Sequence, residues 1–407
     1  MSTIAVLGTY DSKGHELDFV ARCIAARGHS PLRIDVGTLD EPVVAPDIRR
    51  DEILDFSTVS DRNDRGACVA AMAAAVPGFL AKLATDGVIQ GVISLGGGGG
   101  TAIGTAAMRA LAVGFPKVMV STLASGNTAP YVGTTDIVMF PSIVDVAGLN
   151  RLSRLLFARA AGAVCGMVEA EVGEEAERPL VVASMFGNTT ACVNMAKEIL
   201  EAAGQEVLVF HATGTGGRTM EAMIGSGLVA GVLDVTTTEW ADEWVGGILG
   251  AGPTRLEAAG RMGVPTVVAP GCLDMVNFGE PATVPARFAG RLFYHHNPQV
   301  TLMRTSPEEC VELGRILAEK VNAYTGPVTV LLPLRGVSVI SAEGGPFYSP
   351  EADEALFRSI REHLAPHIPL IEIDAVINDP VFAQTCADAL LAHMAEGAAA
   401  AAATPSE

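Results

Sequence analysis

No C-x-x-C pair occurs among the seven cysteines, which stand apart at Cys23, Cys68, Cys165, Cys192, Cys272, Cys310 and Cys386. A scattered, odd-numbered set argues against a disulfide framework and reads as reduced thiols filling a core in a cytoplasmic protein. Basic residues are scarce: 27 Lys and Arg stand against 46 Asp and Glu, a formal net charge of −19. That disfavours nucleic-acid partners. It leaves room for an anionic ligand, because backbone donors hold phosphate without a basic surface. Aromatics are only 5% of a chain that is 49% apolar; a core of Ala, Val, Leu and Ile suits a parallel sheet covered by helices. Residues 1–14 show no basic n-region or cleavage site, so no secretory leader is expected. The uncharged stretch 87–108 is too rich in glycine for a membrane span and is flanked by Asp86 and Arg109, so no membrane partner is expected either.

Glycine, by contrast, is abundant, and one stretch concentrates it: VISLGGGGGTAIGTAAM, residues 92–108. The apolar run 88–95 predicts a buried strand, Gly96 to Gly100 follow, and Thr101 opens a small-residue helix over 102–112. Consecutive glycines cost conformational entropy and need a reason. Close approach of backbone N–H groups to an anion supplies one. A glycine turn between a strand end and a helix N-terminus sets unpaired donors and the helix dipole against phosphate. The alternative, a flexible surface loop, fits poorly with apolar structure on both sides.

With 407 residues the chain has room for two or three domains. Strands are predicted at 3–8, 31–36, 88–95, 117–121 and 136–140, with helices at 15–27, 67–84, 102–112 and 145–169. A charged connector, GEEAER (173–178), precedes a restart of the pattern. Strands then follow at 179–183, 206–210, 228–235, 265–269, 328–332 and 369–373, and late helices at 307–324, 351–364 and 380–394. Alternating strands and helices mean parallel sheets with crossover connections. The expectation is an α/β chain of two tandem domains, 1–172 and 179–395, mainly parallel in sheet, with a cleft between them and a disordered Ala-rich tail at 396–407.

In open α/β sheets ligands bind beyond the carboxyl ends of the strands. That rule selects five small, polar loops as anion cradles. They contribute Thr9, Asp11, Lys13 and Gly14; Gly97, Gly98, Gly99, Gly100 and Thr101; Ser125 and Asn127; Gly187, Thr189 and Thr190; and Thr213, Gly214, Gly216 and Arg218. Lys13 and Arg218 are at hand for phosphate charge, with an ordinary surface position as the alternative for each. The glycine run lacks the Gly-Lys-Ser/Thr ending of a Walker-type loop. Gly97, Gly99 and Ala102 match G-x-G-x-x-A, but no Asp or Glu stands between Arg109 and Asp136 to meet a ribose about 20 residues on. NAD therefore ranks below ATP.

Four side chains form the candidate catalytic set. His211 lies between a strand and a glycine loop, with a structural role as its alternative. Glu239 follows three threonines, where Thr236 and Glu239 also fit a capping box. Asp274 follows Cys272 at a strand end, where a structural turn is the alternative. His296 neighbours His295, but adjacent residues rarely face the same way, so no metal site is assigned.

These loops resemble a known family. The resemblance rests on GTYDSKGHE (8–16), the glycine run ending in Thr101, MFGNTT (185–190), FHATG (210–214), residues 234–239, PGCLD (270–274), HNP (296–298), residues 333–338 and INDP (377–380). Together they are similar to the ATP-binding N-terminal domain of the tomato mosaic virus resistance protein and its uncharacterised bacterial relatives, over nearly the whole chain. The resemblance implies two Rossmann-like subdomains, ATP bound with Mg2+, and a homodimer. In the plant protein a barrel-type domain follows, so a separate barrel-domain protein is an expected partner. The favoured function is an ATP-dependent transferase, ligase or hydrolase acting on a small anionic metabolite, with nucleotide in the interdomain cleft. The alternatives are a nucleotide-binding regulatory protein without turnover, and a metal-assisted hydrolase or lyase.

Overall fold

The computed structural model describes residues 1–171, 173 and 178–402, with 398–402 in main chain only. The chain divides into two compact units, Met1–Glu174 and Glu175–Glu407. Most of the predicted connector, residues 174–177, lies outside the described residues, as does the end of the tail, 403–407.

Unit 1 runs β1 (Thr3–Gly8), α1 (Tyr10–Ala25), β2 (Ser30–Asp35), α2 (Arg65–Thr85), β3 (Gly91–Gly96), α3 (Gly98–Arg109), β4 (Lys117–Ser121), α4 (Ala129–Val132), β5 (Val138–Pro141) and α5 (Arg151–Glu169). Its five strands are all parallel, in the order β2-β1-β3-β4-β5. Strand periodicity sends alternate side chains to opposite faces. Ile4 and Val6 of β1 pack with Leu17, Val20, Phe157 and Val164 of α1 and α5. Ala5 and Leu7 pack with Met72, Val76, Leu80 and Ile103 of α2 and α3. Full burial of each such side chain contributes about 1.5–3 kcal/mol. By length and composition α2 is apolar enough to cross a membrane. Here its buried residues, Cys68, Met72, Val76 and Leu80, recur every four positions, and the last three pack with Ala5 and Leu7 of the sheet.

Unit 2 runs β6 (Leu180–Met185), α6 (Thr190–Ala202), β7 (Glu206–His211), α7 (Thr215–Gly225), β8 (Gly231–Thr236), α8 (Glu239–Val245), α9 (Ala258–Met262), β9 (Thr266–Gly271), β10 (Met275–Phe278), β11 (Phe293–Asn297), β12 (Val300–Arg304), α10 (Pro307–Asn322), β13 (Val328–Pro333), α11 (Pro350–His363), β14 (Leu370–Ile373) and α12 (Pro380–Ala402). Its six-stranded parallel sheet has the order β14-β13-β9-β8-β6-β7. Counted along each unit's own parallel strands, the order 2-1-3-4-5 occurs in both. The connection direction reverses between the first and third strands, β1 and β3 in unit 1, β6 and β8 in unit 2. Such switch points are where doubly wound sheets open a crevice at their carboxyl edge.

Several boundaries differ from expectation. A three-stranded antiparallel sheet, β10-β12-β11, is inserted after β9 and was not anticipated. Helix α3 starts at Gly98, so the glycine run is largely its first turn, and α1 starts at Tyr10 but leaves helical geometry at Lys13 (φ −127°, ψ 17°), so a short turn over residues 10–12 precedes the expected helix. Helix α5 starts late because Asn150 caps the N–H groups of Leu152 and Ser153 and the Ser153 hydroxyl accepts from the Asn150 N–H. Helix α12 continues to Ala402, so residues 396–402 are helical where disorder was expected.

Candidate functional site

The switch point of unit 1 holds a cavity of about 220 Å³ at the carboxyl ends of β1 and β3. Its floor is the first turn of α3. Gly97 is the N-cap and offers no side-chain hydrogen bond, so among the described residues no side chain caps the N–H groups of the first turn. Gly98 has no heavy atom within 4 Å of where a Cβ would stand, whereas a Cβ on Gly96 would meet the Gly100 Cα at 2.8 Å. Gly96 therefore serves a tight turn and Gly98 leaves open space. Thr9, Ser12 and Lys13 come from the start of α1, Thr38 from beyond β2, and Arg65 from the start of α2. Neither Lys13 nor Arg65 makes an ion pair among the described residues. Asp11 also lines the cavity: its Oδ2 accepts from the N–H groups of Thr38 and Leu39, at 3.1 and 3.0 Å, while its buried Oδ1 has no partner among the described residues.

Three predicted ligand residues of unit 1 are diverted. Gly14 is absent from the cavity lining; a Cβ there would meet Val43 Cγ2 at 2.7 Å, so it admits a neighbouring loop. Thr101 is buried, with its hydroxyl against Ser121 Oγ at 2.7 Å. Asn127 accepts from the N–H of Ala129 at the start of α4. Ser125 lines a second pocket, of about 310 Å³, beyond β4 and β5.

The loops of unit 2 satisfy themselves. The Glu239 carboxylate accepts from the N–H groups of Gly214 (2.7 Å) and Gly217 (3.1 Å), filling with the chain's own anion the place a ligand anion would take at α7. Gly214, at φ +78°, shapes that turn, and Gly216 lies where a Cβ would collide with the His211 carbonyl. Arg218 donates to Gly250 O and Thr215 Oγ1. Thr213 donates to His211 O. Thr189 bonds Phe186 and Thr236, and Thr190 bonds Phe186 O. Gly187 is exposed with nothing near it. The N–H groups of Gly214 and Gly217 and the side chains of Thr189, Thr190, Thr213 and Arg218 are thus taken up by partners within unit 2, while Gly187 stays exposed.

Residues 2–173 match the N-terminal domain and residues 178–394 the C-terminal domain of the uncharacterised protein family UPF0261. The chain belongs to UPF0261. A UPF0261 protein of Clostridium tetani is 50% identical over 398 residues, covering 96% of this chain and 98% of its own. The ToMV resistance protein Tm-1(GCR237) of Solanum lycopersicum is 38% identical over 414 residues, covering 95% of this chain and 55% of its own, so this chain spans about half of the tomato protein. Among solved structures, UDP-GlcNAc 2-epimerase of Methanocaldococcus jannaschii shares 11% identity over 90% of this chain and 94% of its own, at a TM-score of 0.23.

In this UPF0261 member the four predicted catalytic side chains are not a constellation. Among the described residues, no hydrogen bond or ion pair joins any two of them. His211 is exposed at the end of β7, edge-on to Phe186 with centroids 5.4 Å apart. His296 is exposed on β11, in the unanticipated sheet. Asp274 is wholly buried; Ser338 Oγ donates to its Oδ2 at 2.8 Å, its Oδ1 has no partner among the described residues, and burial pushes its pKa up to about 6 against the pull of Arg304. Glu239 belongs to a buried network around Arg255, and burial raises its pKa even though Arg255 opposes the shift. It does cap a helix, though α7 rather than its own α8.

The sequence reading missed Ser12, Thr38, Arg65 and Asp145 in the unit 1 lining. Arg65 carries no local signal: the positive end of α2 already has its anion in the N-cap Asp64, whose Oδ1 accepts from the Gly66 N–H at 2.7 Å.

Proposed function

We propose that this UPF0261 chain binds a phosphate-bearing nucleotide, ATP with magnesium, in the switch-point cavity of unit 1. The observation that carries this is the pairing of an uncapped glycine helix start with two unpaired cations, Lys13 and Arg65, in one cavity of a chain with net charge −19. Backbone N–H groups and the α3 dipole would meet the phosphate oxygens, while Lys13 and Arg65 neutralise their charge. The Asp11 Oδ1 oxygen, buried without a donor, suits a hard cation that accompanies phosphate. The Asp11 carboxylate would hold magnesium beside the phosphates, where it would supply charge neutralisation. Among the described residues the cavity holds carboxylates, hydroxyls and cations but no nucleophile paired with a base. That favours, as a second reading, a nucleotide-binding regulatory module without turnover.

Gly98→Val tests the site. The branched side chain enters open space, so the fold should hold while the phosphates are excluded. Calorimetric titration with magnesium ATP should show affinity falling tenfold or more, with an unchanged melting temperature. Gly96→Ala is the control and should lower the melting temperature, because its Cβ strikes the α3 backbone. Unchanged ATP affinity in a folded Gly98→Val protein would remove the phosphates from this cavity.

A further inference from the structure

The pocket beyond β4 and β5 adjoins the phosphate cavity but has different chemistry. Asp145 lines both. At Gly97, the N-cap of α3, a Cβ would stand 3.8 Å from Thr122 Oγ1, so the two pockets meet there. The second pocket is lined by Ser121, Thr122, Ser125, Ser142 and Asp145, and no Lys or Arg is among its lining residues. The hydroxyls of Thr122 and Ser125 and the carboxylate of Asp145 make no hydrogen bond among the described residues. The floor is rigid: the Val144 N–H donates to Ser142 O at 2.7 Å around Ile143, whose φ is +62°, and Ser142 Oγ donates to Val144 O at 2.6 Å. A γ-turn with positive φ at a β-branched residue costs about 1–3 kcal/mol, and the Ser142 hydroxyl bond to Val144 O closes it a second time.

We propose that this second pocket is a subsite for the uncharged, hydroxyl-bearing part of a ligand, a sugar, lying beside the phosphates on α3. It rests on the phosphate reading above and replaces the anionic metabolite expected from sequence. A second anion would face Asp145 with no lining cation to offset the repulsion. Sugar hydroxyls match the set from both directions, donating to the Asp145 carboxylate and accepting from Thr122 and Ser125. An acidic side chain holding ribose hydroxyls is the usual arrangement in doubly wound nucleotide sites. None stands between Arg109 and Asp136, but Asp145 supplies one from the loop after β5. The sugar has two possible sources, the ribose of the bound nucleotide or a separate sugar.

Asp145→Asn separates these outcomes by calorimetric titration with magnesium present. Asp145 is exposed, so the variant should keep its melting temperature. Tripolyphosphate, which has no sugar, should bind the variant as well as the wild type or more tightly. If the sugar is the nucleotide's own, ATP affinity should fall about tenfold, or about 1.4 kcal/mol. If the sugar is separate, ATP affinity should hold, while D-ribose should bind the ATP-saturated wild type and lose that binding in the variant. If tripolyphosphate binds but neither ATP nor D-ribose depends on Asp145, the subsite is overturned and the phosphate site stands. If the wild type binds neither tripolyphosphate nor ATP, the phosphate reading falls and takes the subsite with it.

Discussion

Replacing Arg255 by Met is expected to cost unit 2 about 3–5 kcal/mol, the range for removing one partner from a buried ion pair. Arg255 is 1% exposed. Its Nη1 and Nη2 donate to the two Asp234 oxygens at 2.5 and 2.6 Å, its Nε to Glu239 at 2.7 Å, and its Nη1 also to Glu221 at 3.3 Å. Burial alone would lower its pKa, but Asp234 and then Glu239 and Glu221 outweigh that and hold the guanidinium charged. The three carboxylates come from β8, α8 and α7, and Glu221 also accepts from the N–H groups of Leu256 and Ala258 ahead of and within α9. Met fills similar volume without charge, leaving three carboxylates with no cation between them. In scanning calorimetry the unit 2 transition should drop by roughly 6–20 °C, at about 2–4 °C per kcal/mol. Acidification should recover part of the loss, because a protonated carboxyl no longer needs the arginine. Arg255→Lys should fall between, since an ammonium cannot reproduce the two-pronged contact with Asp234. A melting temperature within about 2 °C of wild type would mean that the network contributes little.

The same network explains which parts of the site the sequence could disclose. The β3–α3 unit was legible because an apolar run ending in glycines, then small helix formers, is a local pattern. Glycine's poor helix propensity favours a start at Ala102, yet the helix begins at Gly98 and takes Gly98, Gly99 and Gly100 into its first turn. The loop at Thr213 to Gly217 has the same local look and a different fate. What decides between ligand cradle and internal cap is whether a carboxylate from elsewhere reaches the loop. Glu239 does so from 22 to 25 residues away, and no spacing rule records that. The hairpin holding His295 and His296 was missed for another reason. Phe293 to Asn297 and Val300 to Arg304 are two β-prone runs about a Pro298-Gln299 turn, but reading the histidines as chemistry hid the pattern. The parallel order 2-1-3-4-5 follows from pairing, and it is the pairing that singles out β1 and β3, and so the glycine run, from the other candidate loops.

Stability is expected to fall as pH rises from about 5 to 8, opposite to the behaviour of a protein governed by surface salt bridges. Asp242 is buried; its oxygens accept from the Asn277 N–H at 2.9 Å and Asn277 Nδ2 at 2.6 Å, and burial pushes its pKa up to about 7. Asp274 is pushed up to about 6 by the same cause. Burial raises Asp35, Glu239 and Asp353 as well. A raised carboxyl keeps its proton in the folded state after the unfolded chain has lost it. For Asp242 and Asp274 the contribution is therefore complete below the unfolded pKa of 3.8 and disappears as pH climbs through 6 to 7. Each such group gives a slope of about 1.4 kcal/mol per pH unit within its window. Carboxyls shifted the other way, such as Asp136 beside Lys117, act only below their ordinary range and leave this window clear. Asp242→Asn should remove one contributor. Its amide can accept from the Asn277 N–H and donate to Asn277 Oδ1, which is buried without a partner, once the Asn277 amide turns over. Urea titrations should show the variant gaining about 1–3 kcal/mol at pH 8, little or nothing at pH 4, and a shallower dependence between. A variant that keeps the wild-type slope would locate the pH sensitivity elsewhere, with Asp274 the next position to change.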